Sequence, residues 1–386
     1  MPGDAVVSGP SSVDSGPGVA CDLVLLSWNH LEETRPCLES LFATTRVPSR
    51  LLIVDNGSDA PVREFLAGVR PQGAITDVVL LQNETNEGFP KGMNRGIRAS
   101  RAPYVVLLNN DLRFTPGWLD EMVAVAAVNQ DVGVVNPGSS TFGDVPARGV
   151  SLDEHAAVRA GRRGTYTEVG MCIGFCMLIK RSVLDRTGGL SEEVERIFFE
   201  DEDFCMRAQR AGFRCVVAEG AYVFHAEHKT VKKMPEREAL FRRNQRWCDE
   251  KWGRRIRIAW PQRESGAPES EELKAWLARV LAWARRRTHV YVFAPLPSGL
   301  TPQAMMRSVG QIPHADIHWM RVPARGGSVA AAARVLKRRK KRYDVIAAPG
   351  EGWVRAMRLL RWAHGAEVVR QDDEAGLTAA WARRSR

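Results

Sequence analysis

The feature of this chain that most constrains its fold is the run from Tyr104 to Asp111, YVVLLNND. An apolar stretch without polar interruption that stops on amides and a carboxylate reads as a strand buried on both faces, in the middle of a parallel sheet covered by helices. Open α/β sheets bind their ligands beyond the carboxyl ends of their strands. Asp111, followed by Arg113 and the helix-opening Pro116-Gly117-Trp118, therefore stands where a hard cation and a diphosphate could meet. The residue fits a plainer part equally well, because strand-end aspartates commonly turn the chain.

The chain before that strand alternates in the same manner. Residues 1–19, Gly, Pro, Ser and Val without periodicity, read as a disordered tail. CDLVLLSWN reads as a first strand ending at Ser27-Trp28-Asn29, and LEETRPCLESLFATT as the helix after it. RLLIVDNGSD repeats the pattern and leaves Asp55, Asn56 and Ser58 in the loop at the strand's carboxyl end. A helix from Ala60 to Val69 and a third strand, DVVLLQN, continue it, and consecutive βα units imply a parallel sheet with helices on its faces. In ETNEGFPKGMNRGIRAS, Gly88, Gly92 and Gly96 open and line a helix that carries Asn94. Such a loop can admit phosphate, but the spacing is not GxGxxG and by itself it reads as structural. After the helix WLDEMVAVAA and the short strand VGVVNPG, the polar stretch Ser139 to Thr167 reads as a variable loop with a short helix.

A second concentration of chemistry follows. CMLIKRSVLDRTGGL reads as a strand and a helix that stops at the Gly pair, and IFFEDEDFCMRAQRAGF places Glu200, Asp201, Glu202 and Asp203 in a first helical turn. The macrodipole favours acids there by ~0.3 to 1 kcal/mol each, yet four in a row oppose one another and raise pKa values. An acidic first turn is common, but four acids exceed what capping needs, and such a cluster is usually retained near a metal, a cation or a proton to be moved. FRCVVAEGAYVFHAEHKT reads as a strand pair ending on His225 and His228.

Composition bounds the rest. In 386 residues no apolar run approaches the ~20 needed to span a bilayer, and the start lacks a signal-like region, so a cytoplasmic protein is expected. Seven cysteines without CxxC spacing indicate buried thiols rather than a disulfide framework or a zinc knuckle. The net charge of +10 gathers mainly after Lys229, in RR and KRRKKR clusters. A shift toward Gly, Pro, Ser and Arg after Trp252 puts a domain boundary near residue 262. Residues 263–287 then form a linker and an amphipathic helix with Leu273, Trp276, Leu277, Val280, Leu281 and Ala284 on one stripe. Residues 288–386 read as a small basic α/β domain with strands HVYVFAP, ADIHWMRV, DVIAAP and AEVVRQ and a frayed last dozen residues.

Between Val24 and Gly253 the sequence resembles the family 2 glycosyltransferases of GT-A fold, within them the bacterial rhamnosyltransferase-like enzymes. The pieces LLSWN, IVDNGS, NEGFPKGMNRGI, VVLLNND, GFCMLIKRSVLDRTGGL, FFEDEDFCMRAQRAGF, VFH and KWG occur in the family's order. The resemblance implies a Rossmann-like, mixed but mostly parallel sheet over residues 20–262, with the smaller carboxyl-terminal α/β unit outside it. It implies that Asp55 contacts the nucleoside and that Asn86, Gly88, Lys91, Asn94 and Asn110 contact the donor. Asp111 matches the last position of the family's DxD-like motif, whose first position here is Asn109, and His225 matches a further metal ligand, the metal being Mg2+ or Mn2+. Asp201 matches the general base of the inverting enzymes. Glu200, Glu202, Asp203 and Trp28 fall to the acceptor side or support the base.

The implied reaction is transfer of a sugar from a UDP-, dTDP- or GDP-linked donor to a hydroxyl of a glycan, a lipid-linked glycan or a small acceptor, in cell-surface polysaccharide or glycoconjugate assembly. Lys91, Arg113 and Lys229 are candidates to offset the diphosphate. The competing expectation is a catalytically silent GT-A scaffold that binds nucleotide sugar or glycan. Nucleic-acid binding is not expected, for want of aromatic residues within KRRKKR, whereas Arg285 to Arg287 and Lys337 to Arg342 suit peripheral contact with an anionic membrane at the inner face of the cytoplasmic membrane.

Overall fold

The computed structural model describes residues 19–226, 235–262, 270–296, 299–337 and 342–386. Two compact units divide the chain: residues up to Thr165 with Cys172–Leu240, and Tyr166–Met171 with Phe241–Arg386. The amino-terminal tail, His228, Lys229 and most of KRRKKR lie outside the described residues.

The first unit begins with β1 (Cys21–Ser27), α1 (Leu31–Thr44), β2 (Ser49–Asn56), α2 (Ala60–Ala67), β3 (Ile75–Asn83), α3 (Phe89–Ala99) and β4 (Tyr104–Asn109). β5 (Leu112–Phe114), α4 (Trp118–Val128), β6 (Val132–Gly138), a 3-10 turn (Ser140–Phe142) and α5 (Leu152–Ala160) come next. After β7 (Tyr166–Val169), which belongs to the second unit, follow β8 (Cys176–Lys180), α6 (Arg181–Thr187), α7 (Glu200–Arg210) and β9 (Arg214–His225). The sheet order is β3-β2-β1-β4-β8-β6-β9-β5. β3, β2, β1 and β4 are mutually parallel, and β8 runs antiparallel to both β4 and β6.

β1, β2 and β4 are central because nothing in them needs water: Leu23, Val24, Leu25, Leu51, Ile53, Val54 and Val105 to Leu108 are buried. The exception is at the opposite end from the ligand edge, where Asp22 and Arg50 form a buried bidentate pair at 2.8 and 3.1 Å. Asp22 also accepts the amide of Ala102 at 2.7 Å, so neither charge is left uncompensated and the strand starts are pinned. Gly92 and Gly96 serve packing. A Cβ on Gly92 would lie 2.5 Å from Leu26, and one on Gly96 would collide with Val24, so α3 sits on β1 only because these residues lack side chains. His225 ends one long strand, β9, rather than a strand pair, since Gly220 continues extended in the middle of it.

The second unit takes up α8 (Arg237–Trp252) from Phe241 onward, then β10 (Ile256–Pro261), α9 (Glu271–Ala284), β11 (Thr288–Phe293), α10 (Pro302–Ser308) and β12 (Ile317–Trp319). α11 (Gly327–Leu336), β13 (Val345–Ala348), α12 (Glu351–Leu359), α13 (Arg361–His364), β14 (Glu367–Arg370) and α14 (Glu374–Ser385) complete it. Its parallel sheet runs β12-β11-β10-β13-β14. One face packs Leu273, Trp276, Leu277, Val280, Met305, Leu377 and Ala380, and the other packs Val335, Tyr343, Val354 and Met357.

Three expectations change here. The units divide after Leu240 rather than near 262, because β10 is the middle strand of the second sheet; residues 263–269 of the Gly/Pro/Ser stretch lie outside the described residues. The stripe on α9 is core of the second unit rather than part of a linker. The last dozen residues form α14, fixed by buried Leu377 and Ala380 and by a hydrogen bond from Trp381 Nε1 to Thr288 Oγ1 at 3.0 Å.

The same unit pairs its basic residues with its own acids. Arg285 forms two 2.8 Å bonds to buried Glu168, Arg287 is buried and bonds Asp249 at 3.2 Å, and Arg286 lies 3.7 Å from Glu374. Arg287 is buried, which withdraws it from the expected anionic contact, whereas Arg285 and Arg286 are exposed. No described helix is long and apolar enough to cross a membrane.

Candidate active site

The order of connection reverses between β1 and β4, and that is where an open α/β sheet leaves a crevice beyond its strand ends. Ser27 pairs with Asp55 across β1 and β2, and Leu26 with Asn109 across β1 and β4. With strands ~4.8 Å apart, Asp55 and the Asn109–Asp111 turn stand about 10 Å from each other on one sheet edge.

Asp55 is fully buried. Its Oδ1 accepts the Ser58 amide at 3.0 Å, while Oδ2 is buried without a hydrogen-bond partner among the described residues. A buried carboxylate oxygen left this way costs free energy until a donor reaches it. Around it the loops are tied together. Asn29 donates its amide to Ser58 Oγ and accepts the amide of Asp59 at 2.8 Å, and Asn56 bridges Asn83, Asn86, Glu87 and Gly88. Asn86 accepts from Asn56 and from the Gly88 amide at 2.8 Å. Gly88, at φ +87°, passes so close to Arg196 that a Cβ would lie 2.9 Å from its Cα. Lys91 is exposed on the first turn of α3, and Trp28 is 36% exposed just past β1.

Asp111 Oδ1 lies 3.1 Å from His225 Nε2. The register that pairs Leu112 with His225 brings them together, and the Ala226 amide donates to the Asp111 carbonyl at 3.1 Å. His225 is held from its other side: Nδ1 is 2.8 Å from Thr141 Oγ1, and its ring stacks on Phe175 at 5.1 Å. With Nδ1 engaged by the hydroxyl, Nε2 is presented to the carboxylate, the arrangement that orients ligating histidines. Adjacent ligands at ~2.1 Å from an octahedral cation are about 3.0 Å apart. The donor set of Asp111 and His225 therefore fits a divalent ion completed by diphosphate oxygens and water.

α7 delivers the acids. Asp201 accepts the amide of Glu202 at 2.8 Å and that of Gly174 at 3.3 Å. Burial pushes its pKa up to about 6, these amides pull it down, and the charge of Glu202 adds to the rise. Gly174 precedes Phe175, whose carbonyl accepts the Asn109 amide at 2.9 Å and whose ring carries His225. Two consecutive residues thus connect Asp201 to the Asp111–His225 pair. Burial, then the Asp201 charge, raises Glu200 well above the ordinary carboxylate range, and its Oε2 has no partner among the described residues.

Four of the expected residues are engaged within the fold. Asn94 is buried with its amide bonded to Leu190 and to Glu192, all at 2.8 Å, so it fixes the 190–192 segment. Asn110 donates to Thr34 Oγ1 at 2.8 Å, which ties the turn to α1. Asp203 is buried and paired to Arg207, whose guanidinium also bonds the carbonyls of Thr187 and Gly189, so it joins α7 to the end of α6. Arg113 is bound to Glu33 at 2.9 Å, so its charge is already balanced.

An α/β sheet with a carboxylate pocket and a metal-fitting pair on its ligand edge suits a nucleotide-linked substrate. Residues 22–188 match the family model described as glycosyl transferase family 2, so that stretch is a glycosyltransferase domain of that family. The match includes Asp55 and Asp111 and ends before Asp201 and His225. The N-acetylglucosaminyl-diphospho-decaprenol L-rhamnosyltransferase of Mycobacterium tuberculosis is 26% identical over 245 residues, 53% of this chain and 75% of that protein. The y4gI protein of Sinorhizobium fredii is 28% identical over 254 residues, 60% of this chain but 27% of its own length. A mannosyltransferase from Pyrobaculum calidifontis, solved with GDP-Man and Mn2+, aligns over 54% of this chain and 57% of its own at 16% identity, with a TM-score of 0.42.

Proposed function

We propose that this chain is a metal-dependent, inverting glycosyltransferase that moves a sugar from a nucleotide-diphosphate donor to an acceptor hydroxyl in cell-surface polysaccharide or glycoconjugate assembly. The observation that carries this reading is the arrangement on one sheet edge. Asp55 offers a buried, unsatisfied oxygen, Asp111 and His225 stand 3.1 Å apart, and Asp201 is joined to that pair through Gly174 and Phe175.

Asp55 would accept a hydrogen bond from the nucleoside, which satisfies its orphan oxygen. Asp111 and His225 would hold Mg2+ or Mn2+, which when bound offsets charge on the leaving diphosphate. Asp201, a carboxylate with a pKa near operating pH, accepts the proton of the acceptor hydroxyl as that oxygen attacks the anomeric carbon. The new carbon–oxygen bond forms on the face opposite the departing diphosphate, so the anomeric centre inverts. Glu200 is buried beside it, and burial and the Asp201 charge push its carboxyl toward the neutral form.

The rhamnosyltransferase relative supports a deoxyhexose donor and a lipid-linked acceptor as the first pair to try. Thermal shift with UDP, GDP, dTDP and CDP, each with Mg2+ or Mn2+, identifies the nucleotide, since binding at ~100 times Kd adds ~2.7 kcal/mol of stability. Transfer or hydrolysis of the matching nucleotide sugar, abolished by EDTA, is the expected result. Nucleotide-sugar binding without any turnover would replace the enzyme by a silent scaffold.

A further inference from the structure

The second unit contains a cluster that the glycosyltransferase reading does not use. His289 on β11, and Asp316 and His318 at the start of β12, bring one ligand atom each within 4.8 Å of one another. The register explains the convergence. Val290 pairs with Ile317 and Tyr291 with His318 in parallel strands, so His289 falls beside Asp316, and alternation puts all four of His289, Tyr291, Asp316 and His318 on the same face.

The distances then pose a proton-counting problem. His289 Nδ1 is 3.0 Å from Asp316 Oδ1 and 3.2 Å from His318 Nε2. A ring nitrogen has a single in-plane position, filled by one hydrogen or one lone pair. If Nδ1 carries the hydrogen and gives it to Asp316, it cannot also accept from His318. If it does not, a carboxylate oxygen and a ring nitrogen face each other with nothing between them. A cation in the middle satisfies all three atoms at once. With metal–ligand bonds of ~2.1 Å, neighbouring ligands are about 3.0 Å apart at 90° and about 3.4 Å apart in a tetrahedron, and the two observed separations lie in that interval.

The surroundings hold these donors in place. The ring of His318 stacks on Tyr291 at 4.6 Å, and the backbone at Gly170 lies against the other carboxylate oxygen of Asp316, where a Cβ would come within 2.6 Å. Arg255 is 3.9 Å from Asp316 Oδ1, too far for a hydrogen bond, so the carboxylate oxygen still faces the two imidazoles. Asp316 is buried whereas both histidines are partly exposed, which leaves further coordination positions open to water or a ligand.

We infer that His289, Asp316 and His318 form a site for a single divalent transition-metal ion of the zinc class, separate from the metal-fitting pair of the first unit. Two imidazoles and one carboxylate suit Zn2+, Co2+ or Ni2+, whereas Mg2+ and Ca2+ prefer sites made of oxygens. The two sites therefore differ in selectivity within one chain.

The test uses the full chain stripped with chelator and titrated with Zn2+ by calorimetry and with Co2+ by visible absorption. The expected result is one Zn2+ equivalent that persists in Asp111→Asn, resists a large excess of Mg2+, and is lost in His289→Ala and in His318→Ala. Co2+ should give d–d bands that the same two variants abolish. Melting curves in chelator show whether the variants fold. Independently of any variant, a crystal of the wild type soaked in Zn2+ should show an anomalous peak among the three side chains. No Zn2+ binding beyond that removed by Asp111→Asn, unchanged binding in folded His318→Ala, or no anomalous peak at the cluster would each overturn the assignment.

Discussion

Replacing Asp201 by asparagine separates base catalysis from everything else the site does. The side chain receives two backbone amides, from Glu202 and Gly174, and its pKa is lifted from 3.8 to about 6 chiefly by burial. A carboxyl whose folded pKa lies above its unfolded value stabilises the fold fully below the unfolded pKa, and that contribution is lost as pH rises through about 6. A shift of about two units corresponds to at most ~3 kcal/mol, reduced by the solvent that reaches its exposed edge. An uncharged amide of the same shape escapes that cost, although it turns a donor toward one of the two amides. Asp201→Asn should therefore melt no lower than the wild type at pH 7 by more than a degree or two. Its turnover should nonetheless fall ~10² to 10⁴-fold, with donor Kd unchanged. In the wild type, kcat/KM should decline below about pH 6, with roughly a tenth of the base ionised at pH 5. Because Glu200 and Glu202 are neighbours, the limb reports the group of acids rather than one residue. Stopped transfer assays across pH 4.5 to 8 with the matched nucleotide sugar supply the profile. Near-normal transfer by a folded Asp201→Asn, or an acid limb near pH 4, would remove Asp201 from the role of base.

Other substitutions should fail in different ways. Asp111→Asn and His225→Ala should each abolish the part of donor binding that Mg2+ or Mn2+ confers, read by calorimetry with and without EDTA, and retention of that part would break the pairing. Asp55→Ala should raise donor Kd by ten-fold or more while the protein stays folded; an unchanged Kd would take Asp55 out of the nucleoside pocket. Asn94→Ala should cost ~1 to 3 kcal/mol of stability by orphaning buried groups at Leu190, with donor KM barely moved. The opposite pattern would restore it to the donor site. Gly88→Ala, at φ +87° and against Arg196, should destabilise by ~1 to 3 kcal/mol and weaken donor binding together, in a denaturant melt and a binding assay on the same sample.

How far the chain could be read without coordinates depended on how local each signal was. β1, β2 and β4 were legible because each is an apolar run closed by polar residues, and the same closure put Asp55 and Asp111 on one edge. The acidic turn of α7 was equally visible. What stayed hidden was pairing across distance: nothing beside Asn94 in sequence reveals that Leu190 and Glu192 take its amide, and nothing near Arg113 shows that Glu33 neutralises it. Thr141, which orients His225, lay in a stretch that looked merely variable. His289 and the Asp-x-His of β12 are 27 residues or more apart and became neighbours only through parallel register, although Asp316 and His318 at i and i+2 already shared a strand face.

The six residues Tyr166–Met171 belong to the second unit, while the chain on both sides of them belongs to the first. Glu168 in that segment is buried, bonds both nitrogens of the Arg285 fork, and exchanges backbone hydrogen bonds with Pro313 and Ala315. A recombination event with a single breakpoint near residue 240 would transplant Arg285, Pro313 and Ala315 but leave their partner behind. Chimeras between relatives should thus be viable only when residues 166–171 travel with the carboxyl-terminal half, and a gene truncated at that breakpoint would encode a catalytic domain with a loose end in its interior sequence rather than at its terminus.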